Sequence, residues 1–233
     1  MRLAPQLGRW LIRLTLGWLL LTVGPILLLR WVDPPTSAFI LRDRLEARTG
    51  PAYYPLRHRW VPYPQIATTV KRAVIAAEDQ KFPYHFGFDL DSIANAFDER
   101  EQGERVRGAS TITQQVAKNL FLWPGQDWIR KGVEAYLTVV IEVCWPKQRT
   151  LEIYLNVAEF GKGVFGVGAA SDALLHKSPA ALSAADGALL AAVLPNPRRF
   201  RVDAPSRYVL RRQAWILRQV QHQGPLALLR TAR

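Results

Sequence analysis

Glu78-Asp-Gln-Lys-Phe-Pro-Tyr-His85-Phe-Gly-Phe-Asp89 follows a stretch, Ile66 to Ala77, whose apolar residues Ile66, Val70, Ala73, Val74 and Ala77 fall at helical spacing. Those positions predict a helix that delivers Glu78 at its C-terminal end. A carboxylate there faces the negative end of the helix macrodipole, which raises its pKa and suits a proton acceptor working near neutrality. Taken alone, a Glu after an apolar helix is an ordinary solvated end residue. Downstream, Gly108-Ala-Ser110-Thr111-Ile-Thr-Gln114-Gln115-Val-Ala-Lys118-Asn119 carries a capping-box start at Thr111-Ile-Thr-Gln114 and predicts a helix from Ile112 to Leu120. On that helix Gln114, Gln115 and Lys118 lie three and four residues apart and share a face. Their amides donate and accept hydrogen bonds, as sugars and phosphates demand.

A third segment, Arg130-Lys131-Gly-Val-Glu134, opens a helix expected over Ile129 to Cys144. Two cations at the positive end of a helix dipole call for an acidic ligand or partner. Glu134 lies one turn on from Arg130, and as a surface pair the two would be worth only about 0.3 to 0.5 kcal/mol. Further helices are expected at Asp89 to Arg100, Lys147 to Asn156, Pro179 to Leu194 and Pro205 to Gln221, with Ser178-Pro179 read as an N-cap and first helical residue. Gly161, Gly163, Gly166 and Gly168 mark a bend, because no strand precedes them as a nucleotide-binding loop requires. Few runs alternate apolar and polar residues, so the fold class is mainly α.

Residues Leu14 to Leu29 carry no charge, and with Trp10, Leu11 and Ile12 the stretch approaches the roughly 20 residues that span a bilayer. Arg2, Arg9 and Arg13 precede it, and Trp10, Trp18 and Trp31 supply interface anchors. Ser37-Ala38 is a weak cleavage site, so an uncleaved anchor is favoured over a signal peptide. The expected organisation is a cytoplasmic tail and transmembrane anchor over 1–32, a connecting segment over 33–64 and a globular domain over 65–233. Pro34-Pro35 and the four prolines between Pro51 and Pro64 read as extended chain in that connection.

A net charge of +12, from 31 Lys and Arg against 19 Asp and Glu, favours polyanionic partners. The anchor turns that preference from nucleic acid to the membrane, where each juxtamembrane cation gains about 1 kcal/mol beside anionic lipid. The single cysteine, Cys144, has no partner for an internal disulfide or a structural metal site, and reads as a small apolar residue.

The order and spacing of the three segments resemble the peptidoglycan glycosyltransferases of glycosyltransferase family 51, in their monofunctional, single-domain form. The first matches Glu-Asp-x-x-Phe-x-x-His-x-Gly-x-Asp and the second Gly-x-Ser-Thr-Ile-Thr-Gln-Gln-x-x-Lys-Asn at every fixed position. The resemblance continues through Arg130-Lys131-x-x-Glu134, Leu151-Glu-Ile-Tyr-Leu-Asn156 and Leu194-Pro-Asn-Pro197. It implies a lysozyme-like glycosyltransferase domain with a smaller membrane-proximal lobe. It also implies polymerisation of lipid II into β-1,4-linked strands, with release of the lipid diphosphate and without peptide cross-linking. The resemblance assigns Glu78 as base and Glu134 as a second essential carboxylate. His85, Ser110, Thr111, Gln114, Gln115, Lys118, Asn119, Arg130 and Lys131 become substrate-binding candidates, with Asp79, Phe82 and Asp89 shaping the loop around Glu78. Where many relatives carry a further cation before the Arg-Lys pair this chain has Gln126, which shifts pyrophosphate charge onto Lys118 and Arg130.

No cofactor is required by this chemistry. A divalent cation, Mg or Mn, suits a pyrophosphate, but the motifs offer no ligand set and no metal site is assigned. Implied partners are lipid II, the growing glycan strand, membrane lipids and other cell-wall synthases or division proteins. The implied location is the bacterial inner membrane, with the N-terminus cytoplasmic and the catalytic domain periplasmic. Two other readings compete. A lysozyme-like hydrolase or lytic transglycosylase would use Glu78 as general acid, although a sugar leaving group needs a proton rather than cations. A membrane-tethered polyanion-binding module would not depend on Glu78 at all.

Overall fold

The computed structural model describes residues 3–50, 53–101, 110–125 and 127–229. Arg2, Pro51, Gly108 and Gln126, singled out above, lie outside them. Ten α-helices in the described residues run α1 (Leu3–Leu28), α2 (Ala38–Thr49), α3 (Thr68–Glu78), α4 (Leu90–Glu101), α5 (Ile112–Phe121), α6 (Trp128–Cys144), α7 (Lys147–Val157), α8 (Gly166–Leu175), α9 (Ala184–Val193) and α10 (Arg207–His222). Three short strands, β1 (Arg57–His58), β2 (Glu159–Gly161) and β3 (Val164–Phe165), form one sheet in the order β1-β3-β2. β1 pairs parallel to β3, and β2 antiparallel. The expected mainly α class is what the chain adopts.

Two layers meet at the core. α3, α9 and α10 pack on one another, while α5 packs on α6 and α7. Val70, Ala73, Val74 and Ile75 of α3, Ile112 and Val116 of α5, Ile141 of α6 and Leu151 and Ile153 of α7 are fully buried between them. The Leu-Glu-Ile-Tyr-Leu-Asn segment lies on α7, where its polar residues hold neighbouring backbone. Asn156 exchanges two hydrogen bonds with the backbone of Val61, at 2.7 and 2.9 Å, and Glu152 accepts from Tyr63 N at 2.7 Å.

Three expectations change. The connecting segment is not extended throughout: Ser37 N-caps α2, its hydroxyl accepting from Ile40 N at 3.1 Å. Flanking prolines conceal this helix in the sequence without preventing it. The expected helix from Pro179 to Leu194 is broken into a 3-10 turn at Pro179–Ala181 and α9. Ser178 makes no side-chain cap, whereas Ser183 and Asp186 form a full capping box, so the start signal that counts lies five residues later. The glycine-rich stretch does bend at Gly163 and Gly166, both with positive φ, but a strand, β2, precedes the bend and ends on Gly161, and the chain then enters α8, a helix not expected there. Gly168 inside α8 lets the helix lie against β1's neighbour Arg59, where a Cβ would run into the Arg59 carbonyl and the Val61 side chain.

α1 contains one stretch, Gly8–Leu28, long and apolar enough to cross a membrane. Its C-terminal half docks on the domain. Thr22 Oγ1 lies 2.8 Å from Tyr136 Oη, and Trp145 Nε1 donates to the Ile26 carbonyl at 2.6 Å. Arg149 Nε and Nη2 donate to the carbonyls of Leu29 and Val32 at 2.9 and 2.8 Å. Because Tyr136 meets Thr22 while Trp145 meets Ile26, α1 and α6 run in the same direction.

Candidate active site

α3 ends at Glu78 because its last turn meets the loop that Asp79 organises. The buried Asp79 carboxylate accepts from Ile112 N at 2.9 Å, at the start of α5, and from His85 Nε2 at 2.9 and 3.0 Å. An anion at a helix N-terminus is favoured by both the free N–H groups and the dipole. One carboxylate thereby ties the end of α3, the turn through His85 and the head of α5 together. Gly87, at φ +79°, turns its carbonyl toward Thr111, whose hydroxyl donates to it at 2.7 Å. The twelve-residue segment is therefore mostly a scaffold that holds Glu78.

Glu78 itself is 13% exposed on its side chain. Gln115 Nε2 donates to its Oε2 at 3.0 Å, and Arg212 of α10 approaches Oε1 at 3.8 Å. Burial pushes the carboxyl above its ordinary value, while the Gln115 hydrogen bond and the Arg212 charge pull it back. Gln115 has no freedom to turn over: the buried Tyr154 hydroxyl donates to its Oε1 at 3.2 Å, which leaves the NH2 end for Glu78.

Glu78, Ser110, Gln115, Tyr208, Arg211 and Arg212 line a cleft of about 990 Å3. A second cavity, of about 170 Å3, lies beyond Gln115 and is bounded by Phe39, Lys118, Asn119, Tyr154 and Phe165. Gln115 lines both. Lys118 sits with its ammonium 5.8 Å from the Phe39 ring centre. Burial lowers its pKa, the Glu134 charge raises it, and Arg130 and Lys131 lower it, so Lys118 shares one cationic field with the head of α6. There Glu134, 3% exposed, holds both cations: Arg130 Nη1 at 2.6 Å and Lys131 Nζ at 2.5 Å. Asp127 caps α6 by accepting from Arg130 N at 2.7 Å, which offsets the two cations at the dipole's positive end.

The sequence candidates thus fall into three positions. Glu78, Gln115 and Ser110 open on the large cleft, Lys118 and Asn119 on the smaller cavity, and Arg130, Lys131 and Glu134 form an ion cluster beside them. Gln114 and Thr111 form the capping box, though Thr111 also lines the large cleft: Gln114 Oε1 accepts from Thr111 N at 2.9 Å, and Gln114 is 4% exposed. Gln114 therefore does not share a ligand-facing side with Gln115 and Lys118. His85 turns its Nε2 to Asp79 rather than to the cleft. Tyr154, Phe39, Arg211, Arg212 and Trp215 were absent from the sequence candidates, because their helices bear on the site only through tertiary packing.

A family described as transglycosylase matches residues 47–221. The chain belongs to the transglycosylase family. Similar proteins include the biosynthetic peptidoglycan transglycosylase of Klebsiella oxytoca, 52% identical over 224 residues that cover 95% of this chain and 93% of that one. The proteins of that name from Xanthomonas axonopodis pv. citri and Pectobacterium atrosepticum are 50% and 49% identical, each over 95% of this chain and over 90% and 93% of their own lengths.

Proposed function

We infer that this transglycosylase is a peptidoglycan glycosyltransferase of cell-wall synthesis that extends glycan strands from a lipid-linked disaccharide, inverting the anomeric centre of the donor. The 4-hydroxyl of the acceptor sugar attacks the anomeric carbon of the growing strand, and its proton passes to Glu78. The bond to the lipid pyrophosphate breaks, and the electron pair leaves with the phosphate oxygen. Lys118, Arg130 and Lys131 stabilise that charge, so the leaving group needs no protein acid and the reaction no cofactor. Glu134 positions Arg130 and Lys131. The carrying observation is Glu78, a largely buried carboxylate that opens on the large cleft and is held ready by Gln115, with the cationic cluster one helix away.

Membrane anchoring follows from α1, the one described helix long and apolar enough to span. We place the anchor in the bacterial inner membrane with the N-terminus inside and the domain outside. His85 acts in this reading through Asp79, as a positioning residue.

The deciding experiment is polymerisation of labelled lipid-linked disaccharide-pentapeptide by the full-length protein, with Glu78→Gln alongside. Glu78→Gln is expected to lower kcat by about 1,000-fold or more while the circular dichroism spectrum stays unchanged, a loss within the range of general-base removal. Polymer formed at the wild-type rate by the variant, or shortening of preformed glycan in place of polymer, overturns the assignment.

A further inference from the structure

The motifs quoted above lie on α3, α5, α6 and α7 and at Leu194–Pro197, whereas one wall of the large cleft is built by α10. Tyr208, Arg211, Arg212 and Trp215 recur at spacings of three, four and seven and all line that cleft. Arg212 is turned inward, toward Glu78 at 3.8 Å and the Trp215 ring at 5.9 Å. Tyr208 is 46% exposed and stacks on Phe200, with ring centroids 4.9 Å apart. Its position is thus fixed from one side while it remains open to the cleft. Arg211 is exposed, and among the described residues no carboxylate pairs with it.

Position decides what such a face would meet. α10 packs on α3 and α9, whereas the anchor α1 packs on α6, which in turn packs on α5. The cations Lys118, Arg130 and Lys131 stand on the anchor's side, where a lipid pyrophosphate must lie. An anion at Arg211 therefore belongs to another part of the substrate. Aromatic rings at cleft positions offer apolar faces to sugar C–H groups, and a guanidinium matches a carboxylate through two parallel hydrogen bonds.

We propose that Tyr208, Arg211 and Trp215 form a subsite for a sugar ring whose peptide substituent carries carboxylates, with Arg211 pairing to one of them. This rests on the lipid-linked disaccharide-peptide reading above. It adds a specificity determinant on α10, outside the motif segments quoted above.

The test is equilibrium binding of a soluble disaccharide-pentapeptide, and of the same compound with its carboxylates converted to amides, to the full-length protein in detergent micelles. Polymerisation of the corresponding lipid-linked substrates is measured in parallel. The wild type is expected to bind the carboxylate form about three- to fivefold more tightly, the range of a partly exposed ion pair. Arg211→Gln should bind both forms alike, and Arg211→Lys should keep part of the preference. Tyr208→Ala should weaken both forms equally. An Arg211→Gln protein that keeps the wild-type preference overturns the proposal. So does one whose binding of inorganic pyrophosphate falls instead, because phosphate would then be the ligand. Arg211-dependent binding without polymerisation would sustain the subsite and overturn the proposed reaction. Polymerisation without that dependence would do the reverse.

Discussion

Glu78 is the residue on which pH acts. Burial raises its carboxyl above the ordinary 4.5. The proposed reaction needs the ionised form, so kcat/KM is expected to rise with pH through that raised value and to level off above it. Tyr154 sets where this happens, because its hydroxyl keeps the Gln115 amide facing Glu78. Tyr154→Phe is expected to move the acid limb of the pH profile upward and to lower kcat by about tenfold, one part of the gain expected of a positioned base. An unmoved limb would show that Gln115 holds its orientation without Tyr154. Stability runs the other way. With the folded value above the unfolded one, the unfolded chain gives up the proton sooner, and stability falls as pH rises from about 4.5 through the raised value. Glu78→Gln should then melt higher than wild type at neutral pH, by about 2 to 4 °C for each kcal/mol relieved.

At the scale of elements, the site depends on how closely helices approach the short sheet. α8 reaches the chain at Arg59 through Gly168, and Arg59 Nη2 donates to the Gly168 carbonyl at 2.8 Å. Gly168→Ala would drive a methyl into the Arg59 backbone, a rigid neighbour that cannot give way as a long side chain would. The expected cost is about 1 to 3 kcal/mol, read as a lowered denaturation midpoint with the same dependence on denaturant. An unchanged midpoint would mean that α8 shifts freely. The α6 head behaves differently, because its tension is electrical. Glu134 neutralises one nearly buried and one half-exposed cation and holds both at the head of α6.

For the whole molecule, the anchor is part of the folded structure and not a loose tether. Ile26 is fully buried in the core cluster, and Arg149, 9% exposed, satisfies the Leu29 and Val32 carbonyls just past the end of α1 while pairing with Asp33 and Glu152. Both carbonyls lie just beyond the helix, where a cation also suits the negative end of its dipole. Arg149→Leu takes the donor from both carbonyls and the paired cation from the mostly buried Glu152, with an expected loss of about 3 kcal/mol. The measurement is thermal unfolding of the full-length protein in micelles, together with protease cleavage near residues 33–37, which should quicken. Unchanged melting and cleavage would return the anchor to the role of a tether.

The sequence by itself determined the α-rich class, the membrane-length helix, the position of Glu78 at a helix end, and the capping box at Thr111 and Gln114. Each of these is a local matter of periodicity, charge-free length or cap chemistry within a few residues. Only the tertiary structure decided that Gln114 serves the cap while Gln115 serves Glu78, because a one-residue difference on a helix changes which neighbour a side chain meets. It also decided the roles of Tyr154, Arg149 and the α10 wall. Tyr154 and Arg212 lie 76 and 134 residues from Glu78 in the chain. No spacing rule links them to it; they meet because α7 and α10 pack beside α5 and α3 to bury the same apolar core.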